Sequence, residues 1–527
     1  MAAAVAGLIV LVVLPLLFLL AGSFRGEQGL SLEHFAEALS GRLYLQALGN
    51  SLVLGAWTGL FSILIGLPMA WAVSRTNVPG PALFRVTATL SYLSPPFLTA
   101  IAYVNLFSPN AGLINVLMRD VIGAPWLTFN IFTMAGLVLV TVLHTFPFVF
   151  LLASSALQSV DASYEEAAQM LGAGKLRTAL LVTLPLIAPA VLAGTLLAFV
   201  NAIALFDYPP QYGLASALSL LFIAITVAAL YVQHRFLARR SYVTVGGKGG
   251  RRQLVDLGPL RWLLFAFCVL VFVVAIVLPY GALIAVSLSK SWGLSFWQGL
   301  TLANYRFVLF EYGVTQRAIL NSLLLATLAA TIVVLLGTVI GWIDVRTRAP
   351  GRRLLDYVSL VPLGLPGIVM AVALIQFWLT MPVALYGTLT ILLLAYVGRY
   401  MPLGVRAANS SLRQIDPALE ESARVLGASW GRTLREVTLP LIRPGLFAGW
   451  LLVFVPVIQE LSASILLFSS SSITLAVAVY NLYETGYTEP VAALAMVNMA
   501  IISMALLAAH WLASGRADGA MPAGAAS

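Results

Sequence analysis

Long apolar runs recur along nearly the whole of this chain, and most of its charges fall between them. Hydrocarbon offers no water to backbone N–H and C=O groups. A run that meets lipid must satisfy them within itself, as a helix of about 20 residues. Twelve runs meet that need. In the first half they lie near 5–22, 47–73, 87–107, 131–156, 186–206 and 214–233. In the second half they lie near 262–287, 318–343, 357–380, 388–408, 441–466 and 492–513. Of the 527 residues 61% are hydrophobic and 9% charged, against roughly 25% charged in a soluble domain. The expected fold is an all-α polytopic membrane protein with about twelve transmembrane helices.

The remaining charges orient it. With both termini in the cytoplasm, most of the 29 Lys and Arg residues fall on the cytoplasmic side, as the positive-inside rule requires. The net charge of +9 is then a signal of topology, not the basic face of a nucleic-acid binder. No basic residue precedes the first run, so it is expected to remain a span and not to be cleaved as a signal peptide. The one cysteine, Cys268, sits inside an apolar run. It has no partner for an internal disulfide and is expected to be a small buried side chain.

A polar segment occurs twice. Asp161-Ala-Ser-Tyr-Glu-Glu-Ala-Ala-Gln-Met-Leu-Gly172 runs on to Val182-Thr-Leu-Pro185, and Asp416-Pro-Ala-Leu-Glu-Glu-Ser-Ala-Arg-Val-Leu-Gly427 to Val437-Thr-Leu-Pro440. The offsets 421 − 166, 427 − 172 and 440 − 185 all give 255. Further matches at offset 271 pair Asn50 with Asn321, Gly66 with Gly337, Trp71 with Trp342, Arg75 with Arg346 and Pro95 with Pro366. Six spans separate corresponding segments, so the two repeats are parallel, related by an axis along the membrane normal. The expected organisation is a first repeat over 1–233, a basic glycine-rich linker over 234–260, a second repeat over 261–515 and a tail over 516–527. The linker is expected to be flexible and close to anionic lipid.

Each repeated segment reads as helix, glycine turn, helix across the cytoplasmic mouth. Residues 162–171 form the first helix, and Gly172 stops it by accepting the left-handed conformation. Ala167, Ala168, Ser422 and Ala423 are small and let a partner surface approach. Glu165, Glu166, Glu420 and Glu421 offer carboxylates to basic groups on that partner or on the neighbouring loop. The pattern Glu-Ala-Ala-x3-Gly-x9-(Ile/Val)-x-Leu-Pro resembles the signature loop of permease subunits of binding-protein-dependent ABC importers. The first copy fits it fully, and the second has Ser422 for the first alanine. Two copies in one chain resemble the fused, double-length permeases.

The resemblance implies that each segment is a coupling helix seated in a cleft of a cytoplasmic ATPase, one ATPase copy per segment. It also implies a periplasmic binding protein and a bacterial inner membrane. No Gly-x4-Gly-Lys-(Ser/Thr) phosphate loop occurs in the chain, and Gly247-Lys248-Gly249 lacks the hydroxyl residue. ATP and Mg are therefore expected on the partner, with no cofactor on this chain and no enzymatic activity of its own. His34, His144, His234 and His510 show no ligand spacing, so no metal site is expected.

Charges within spans are costly and point to function. Arg399 falls in the tenth span, where the first half has His144, and Glu460 in the eleventh, where the first half has Leu205 with Asp207 two residues on. An Arg399–Glu460 pair is expected, as a tie between helices or a gate. Asn201, Gln376 and Gln459 are candidates to face a pathway. Pro95-Pro96 and Pro362-x3-Pro366 interrupt matching spans. Near the last two spans the halves diverge: Pro440 to Tyr487 is 47 residues and Pro185 to Tyr212 is 27.

The rival class is a major-facilitator secondary transporter, which shares twelve spans and parallel halves. Its Gly-x3-Asp-Arg-x-Gly-Arg-Arg loop is approached by residues 341–353, but Asp344 to Gly351 is seven residues where that motif needs three. Among importers, Ser94-Pro-Pro-Phe97, Ser108-Pro-Asn-Ala-Gly112 and the linker resemble the ferric-iron permeases. Those for thiamine, 2-aminoethylphosphonate and polyamines are close relatives of the same design.

Overall fold

The structure is a computed structural model, described over residues 2–26, 29–203, 212–238 and 254–514. Asp207, most of the linker and the tail lie outside the described residues. In chain order the helices are α1 Val5–Ser23, α2 Arg42–Arg75, α3 Pro81–Leu93, α4 Pro96–Phe107, α5 Met134–Ser159, α6 Ala162–Met170, α7 Ala179–Ile203, α8 Tyr212–Ala238 and α9 Leu260–Leu288. The second half continues with α10 Thr315–Arg346, α11 Arg352–Leu360, α12 Gly367–Leu379, α13 Leu389–Arg413, α14 Pro417–Val425, α15 Trp430–Ile458, α16 Leu475–Glu484 and α17 Thr488–Ser514.

Among the described residues nine helices are long and apolar enough to cross a membrane, and α4 and α12 are shorter apolar helices. Helix α13 completes the expected twelve; Arg399 and Arg406 lower its hydropathy. Two expected spans are broken. The third is α3 followed by α4, and the ninth is α11, a 3-10 turn over Val361–Gly364, then α12. Each break falls at a proline, which lacks an N–H and pushes the residue before it into extended backbone. Ser94 has ψ 130 and Leu365 ψ 128. The eleventh span also ends early. Helix α15 stops at Ile458, so Gln459 and Glu460 lie beyond its last turn and not within it.

The chain divides into two compact units, which do not follow the sequence repeats. One comprises Met1–Glu37, Pro209–Leu220 and Tyr305–Ser527, the other Ala38–Tyr208 and Leu221–Asn304. Each therefore takes the first span of the other half. In the first unit α1 lies against α12, with the Phe18 and Phe377 rings 5.2 Å apart and edge to face. In the second unit α9 lies against α3 and α4: Tyr103 donates to the Val274 carbonyl, and the Phe84 and Phe265 rings are 5.8 Å apart.

Close backbone approach holds both cores. A Cβ on Gly66 of α2 would lie 2.8 Å from the Phe146 carbonyl of α5, and one on Gly337 of α10 would lie 2.5 Å from the Gly404 carbonyl carbon of α13. These two glycines match at offset 271. Without a hydrophobic drive between helices in lipid, such small residues set the packing.

Candidate functional site

The first of the two repeated segments, docking segments by the expectation above, begins where Asp161 caps α6, its carboxylate accepting from the Ser163 N–H at 2.9 Å. That bond, first of the causes, holds the Asp161 carboxyl below its ordinary range. The helix closes as a Schellman turn. The Ala173 N–H donates to the Ala168 carbonyl at 3.0 Å and Gly172 to Gln169 at 2.9 Å, with Gly172 at φ 84. Glu165 turns inward and is 8% exposed. Its carboxylate accepts from Thr183 Oγ1 at 2.7 Å and lies 3.8 Å from Arg75 Nη1. Arg75, the last residue of α2, also donates to the Val160 carbonyl at 2.6 Å. One carboxylate thus ties α6 to the end of α2 and the start of α7.

The second segment repeats this in the other unit. Asp416 caps α14 by accepting from Ala418 N–H at 2.9 Å, and the Schellman turn runs Ala428 to Ala423 and Gly427 to Arg424, each 3.0 Å, with Gly427 at φ 88. Glu420 accepts from Arg346 Nε at 3.1 Å and from Thr438 Oγ1 at 3.2 Å. Arg346 Nη2 donates to the Leu412 and Ile415 carbonyls at 3.0 and 2.9 Å. Arginine and threonine recur in both copies of the sequence, at offsets 271 and 255, but their meeting on this carboxylate was not read from it.

The outer face of each helix is also repeated. Glu166 and Glu421 are exposed, as are Ala167 and Ser422, whereas Ala168 and Ala423 are half-buried. Beside them stand apolar side chains that sequence reasoning passed over. Met170 and Leu171 are 88% and 89% exposed, Val425 and Leu426 87% and 88%. Tyr164 and Leu419 occupy matching exposed positions. Together they make an exposed apolar patch on an otherwise polar loop.

The surroundings differ. In the first segment Lys175 Nζ donates to the Asp256 carbonyl at 2.5 Å. The Asp256 carboxylate accepts from Asn77 Nδ2 at 2.6 Å and Gly258 N–H at 3.0 Å, while the Val255 N–H donates to the Arg75 carbonyl at 2.8 Å. The Gly258 N–H, then the Asn77 amide, hold the Asp256 carboxyl below its ordinary range. The last linker residues are therefore latched to the first clamp. In the second segment Trp430 stands at the place of Lys175 and meets Trp342 edge to face at 6.1 Å.

Of the intramembrane candidates, Arg399 and Glu460 come together, Nε to Oε2 at 3.3 Å. Tyr400 donates to the same carboxylate, and the Ala463 N–H donates to its other oxygen at 3.0 Å. Gly367, first residue of α12, leaves room for them, since a Cβ there would lie 3.1 Å from Glu460 Oε1. Gln459 caps the end of α15 beside them. Gln376 donates to Ser216, between spans of the same unit. His144 and Asn201 belong to the other unit. The His144 Nδ1 is buried without a hydrogen-bond partner, and the Asn201 amide bonds back to the Leu197 carbonyl at 2.9 Å. Among the described residues no three His, Cys, Asp or Glu side chains cluster as metal ligands.

Comparison with known proteins bears on these repeated segments. Residues 62–287 and 333–517 each match the family described as "Binding-protein-dependent transport system inner membrane component", and each match contains one docking segment. The ferric transport system permease protein of Actinobacillus pleuropneumoniae is 25% identical over 540 residues, covering 95% of this chain and 76% of that protein. A putative ferric transport system permease protein of Haemophilus influenzae is 27% identical, covering 90% and 77%. A chain of a bacterial ABC transporter for alginate import is 19% identical with a TM-score of 0.40, covering 48% of this chain and 95% of its own. The secondary-transporter alternative falls with the family match. The chain is a membrane-spanning importer permease with two permease repeats in one polypeptide, and it belongs to the family of binding-protein-dependent transport system inner membrane components.

Proposed function

We propose that this chain moves ferric iron from a periplasmic binding protein to the cytoplasm, driven by ATP hydrolysed on a separate cytoplasmic ATPase present in two copies. The observation that carries the reading is the pair of clamped, apolar-tipped docking helices. Leu171 and Leu426, with their exposed neighbours, would enter equivalent clefts on two identical ATPase chains. Because Glu165 and Glu420 bind each docking helix to two spans, a push on the tip moves those spans with it. Closure of the ATPases would open the cavity outward to the loaded binding protein, and hydrolysis with reopening would return it inward. ATP and Mg supply this work on the partner.

Iron is favoured because the relatives named above are ferric permeases. A spermidine/putrescine permease of Haemophilus influenzae, 31% identical over 44% of this chain, makes a polyamine the next reading. Thiamine and 2-aminoethylphosphonate follow. With both termini cytoplasmic, the docking segments face the ATPase. The test is radiolabelled ferric-iron uptake by iron-starved cells that lack the chain or carry Leu171→Asp with Leu426→Asp. Uptake lost in both, with the variant still in the membrane, supports the proposal. Uptake intact in the deletion, in cells without a second iron system, sinks iron. Uptake lost only in the deletion sinks the docking helices.

A further inference from the structure

The first half carries a loop, on the membrane face opposite the docking segments, that the second half lacks. The offset between matched residues falls from 271 at Pro95 and Pro366 to 255 at Pro147 and Pro402, so the first half holds 271 − 255 = 16 more residues there. They lie between α4 and α5, in residues 108–133. The loop folds around Asn115, which is 1% exposed. Its amide donates to the carbonyls of Phe107, Ser108 and Phe129 at 3.0, 3.1 and 2.7 Å and accepts from the Phe129 N–H at 2.9 Å.

A polar side chain thus sits at the inside of this loop with Ala124 and Ile131, while a group of its apolar side chains faces out. Val121, Ile122, Trp126, Leu127 and Phe132 are between 56% and 78% exposed. Its two charges, Arg119 and Asp120, answer each other at 2.7 Å. Water is a poor medium for such a face, whereas the boundary of a bilayer suits it, with aromatic rings at headgroup level and apolar chains below.

Phe129 of the loop also lines a groove of about 550 Å³ with Trp57 and Phe61 of α2 and Met134, Ala135 and Val138 of α5. No charged residue lines it. Val53, Trp57, Leu60, Phe61 and Leu64 form an exposed row along α2, at the spacing of one helix face. That row is the surface a bilayer covers, and through Phe129 the loop and groove continue it.

We propose that the 108–133 loop rests in the bilayer interface and that the groove beneath it holds an acyl chain of a membrane lipid. The platform is one-sided, since only residues 380–388 join α12 to α13 in the second half. It fixes the outer end of α5, the helix whose other end leads into the first docking segment. This holds whichever solute the permease carries.

The test uses the full chain in lipid nanodiscs. Cys268 is buried, so Trp126→Cys takes a fluorophore selectively. Lipids bearing a nitroxide near the headgroup should quench it several-fold more than a water-soluble nitroxide, with or without the binding protein. Stronger quenching from the water phase overturns the platform, as does shielding that appears only when the binding protein is added. A phospholipid with a photoactivatable acyl chain should label 57–65 and 134–142 above all other peptides. Ala135→Trp, which fills the groove from an exposed position, should cut that labelling several-fold. Label spread evenly over the membrane-facing helices, or unchanged in the variant, overturns the groove.

Discussion

Arg346 meets Glu420 at 3.1 Å through Nε, whereas Arg75 meets Glu165 at 3.8 Å through Nη1, and its own Nε is buried without a hydrogen-bond partner. The two docking segments otherwise agree in cap, turn, buried carboxylate and threonine. What differs is the help each receives. The first clamp, with the longer ion pair, is braced from outside, by the linker on the Arg75 carbonyl, Asn77 and Lys175. The second clamp, with the shorter ion pair, is flanked by Trp342 and Trp430. The shared parts are what the proposed docking asks of both halves, and the unshared parts are the contacts each half adds in its own way.

The sharpest way to break the comparison is to remove the carboxylates. Taking one partner from a buried ion pair leaves an uncompensated charge at a cost of about 3–5 kcal/mol. Glu420→Ala should therefore raise hydrogen exchange across 416–433 strongly. Glu165→Ala should do so less across 161–178, because its ion pair is longer and the linker still holds Arg75. Equal effects would mean that neither the longer ion pair nor the latch sets the two clamps apart.

A second contrast sits at matched positions in α13 and α5. Arg399→Ala strands Glu460, 5% exposed in its side chain, and should destabilise by about 3 kcal/mol. His144→Ala, which removes no ion pair, should change thermal stability of the purified chain by less than about 1 kcal/mol. Here the halves should differ most plainly.

Changing Gly172 or Gly427 to alanine should be more nearly even. Both hold positive φ, and a side chain in that conformation costs about 1–2 kcal/mol. Exchange should rise to a similar extent in each docking helix, and a large difference would mean that one turn is not maintained.

The smallest effect is one of pH. The Asp256 carboxyl is held below its ordinary value, so the latch gains stability above the unfolded carboxylate pKa, about 3.9. It loses that gain as pH falls through the lower, folded value. Acidification below about pH 4 should loosen the first segment more in wild type than in Asp256→Asn, where the Asp161 cap is the carboxylate left to titrate. Identical acid responses would remove the carboxylate from the account.

Much of this was legible because lipid imposes one rule on every span. The apolar runs gave the helices, and Pro95 and Pro366 gave the breaks. The apolar stretch over 441–466 hid the end of α15 at Ile458, since hydropathy does not register where a backbone unwinds. Helices α1 and α9 are apolar on every side, so nothing in their pattern says which half they join. In the docking segments, capping aspartates and glycines act within a few residues and were readable. The clamps join Arg75 to Glu165 and Arg346 to Glu420 across long stretches of chain, and repetition alone hinted at them.

The most direct test of the clamps is to measure ATP hydrolysis and uptake together. Proteoliposomes would hold the chain with the proposed partner ATPase and a loaded binding protein, comparing wild type with Glu165→Ala plus Glu420→Ala at equal reconstitution. If the clamps carry motion from the docking helices to the spans, the double variant should still hydrolyse ATP while solute moved per ATP falls at least about tenfold. Solute moved per ATP at the wild-type level would show that the motion travels by another route.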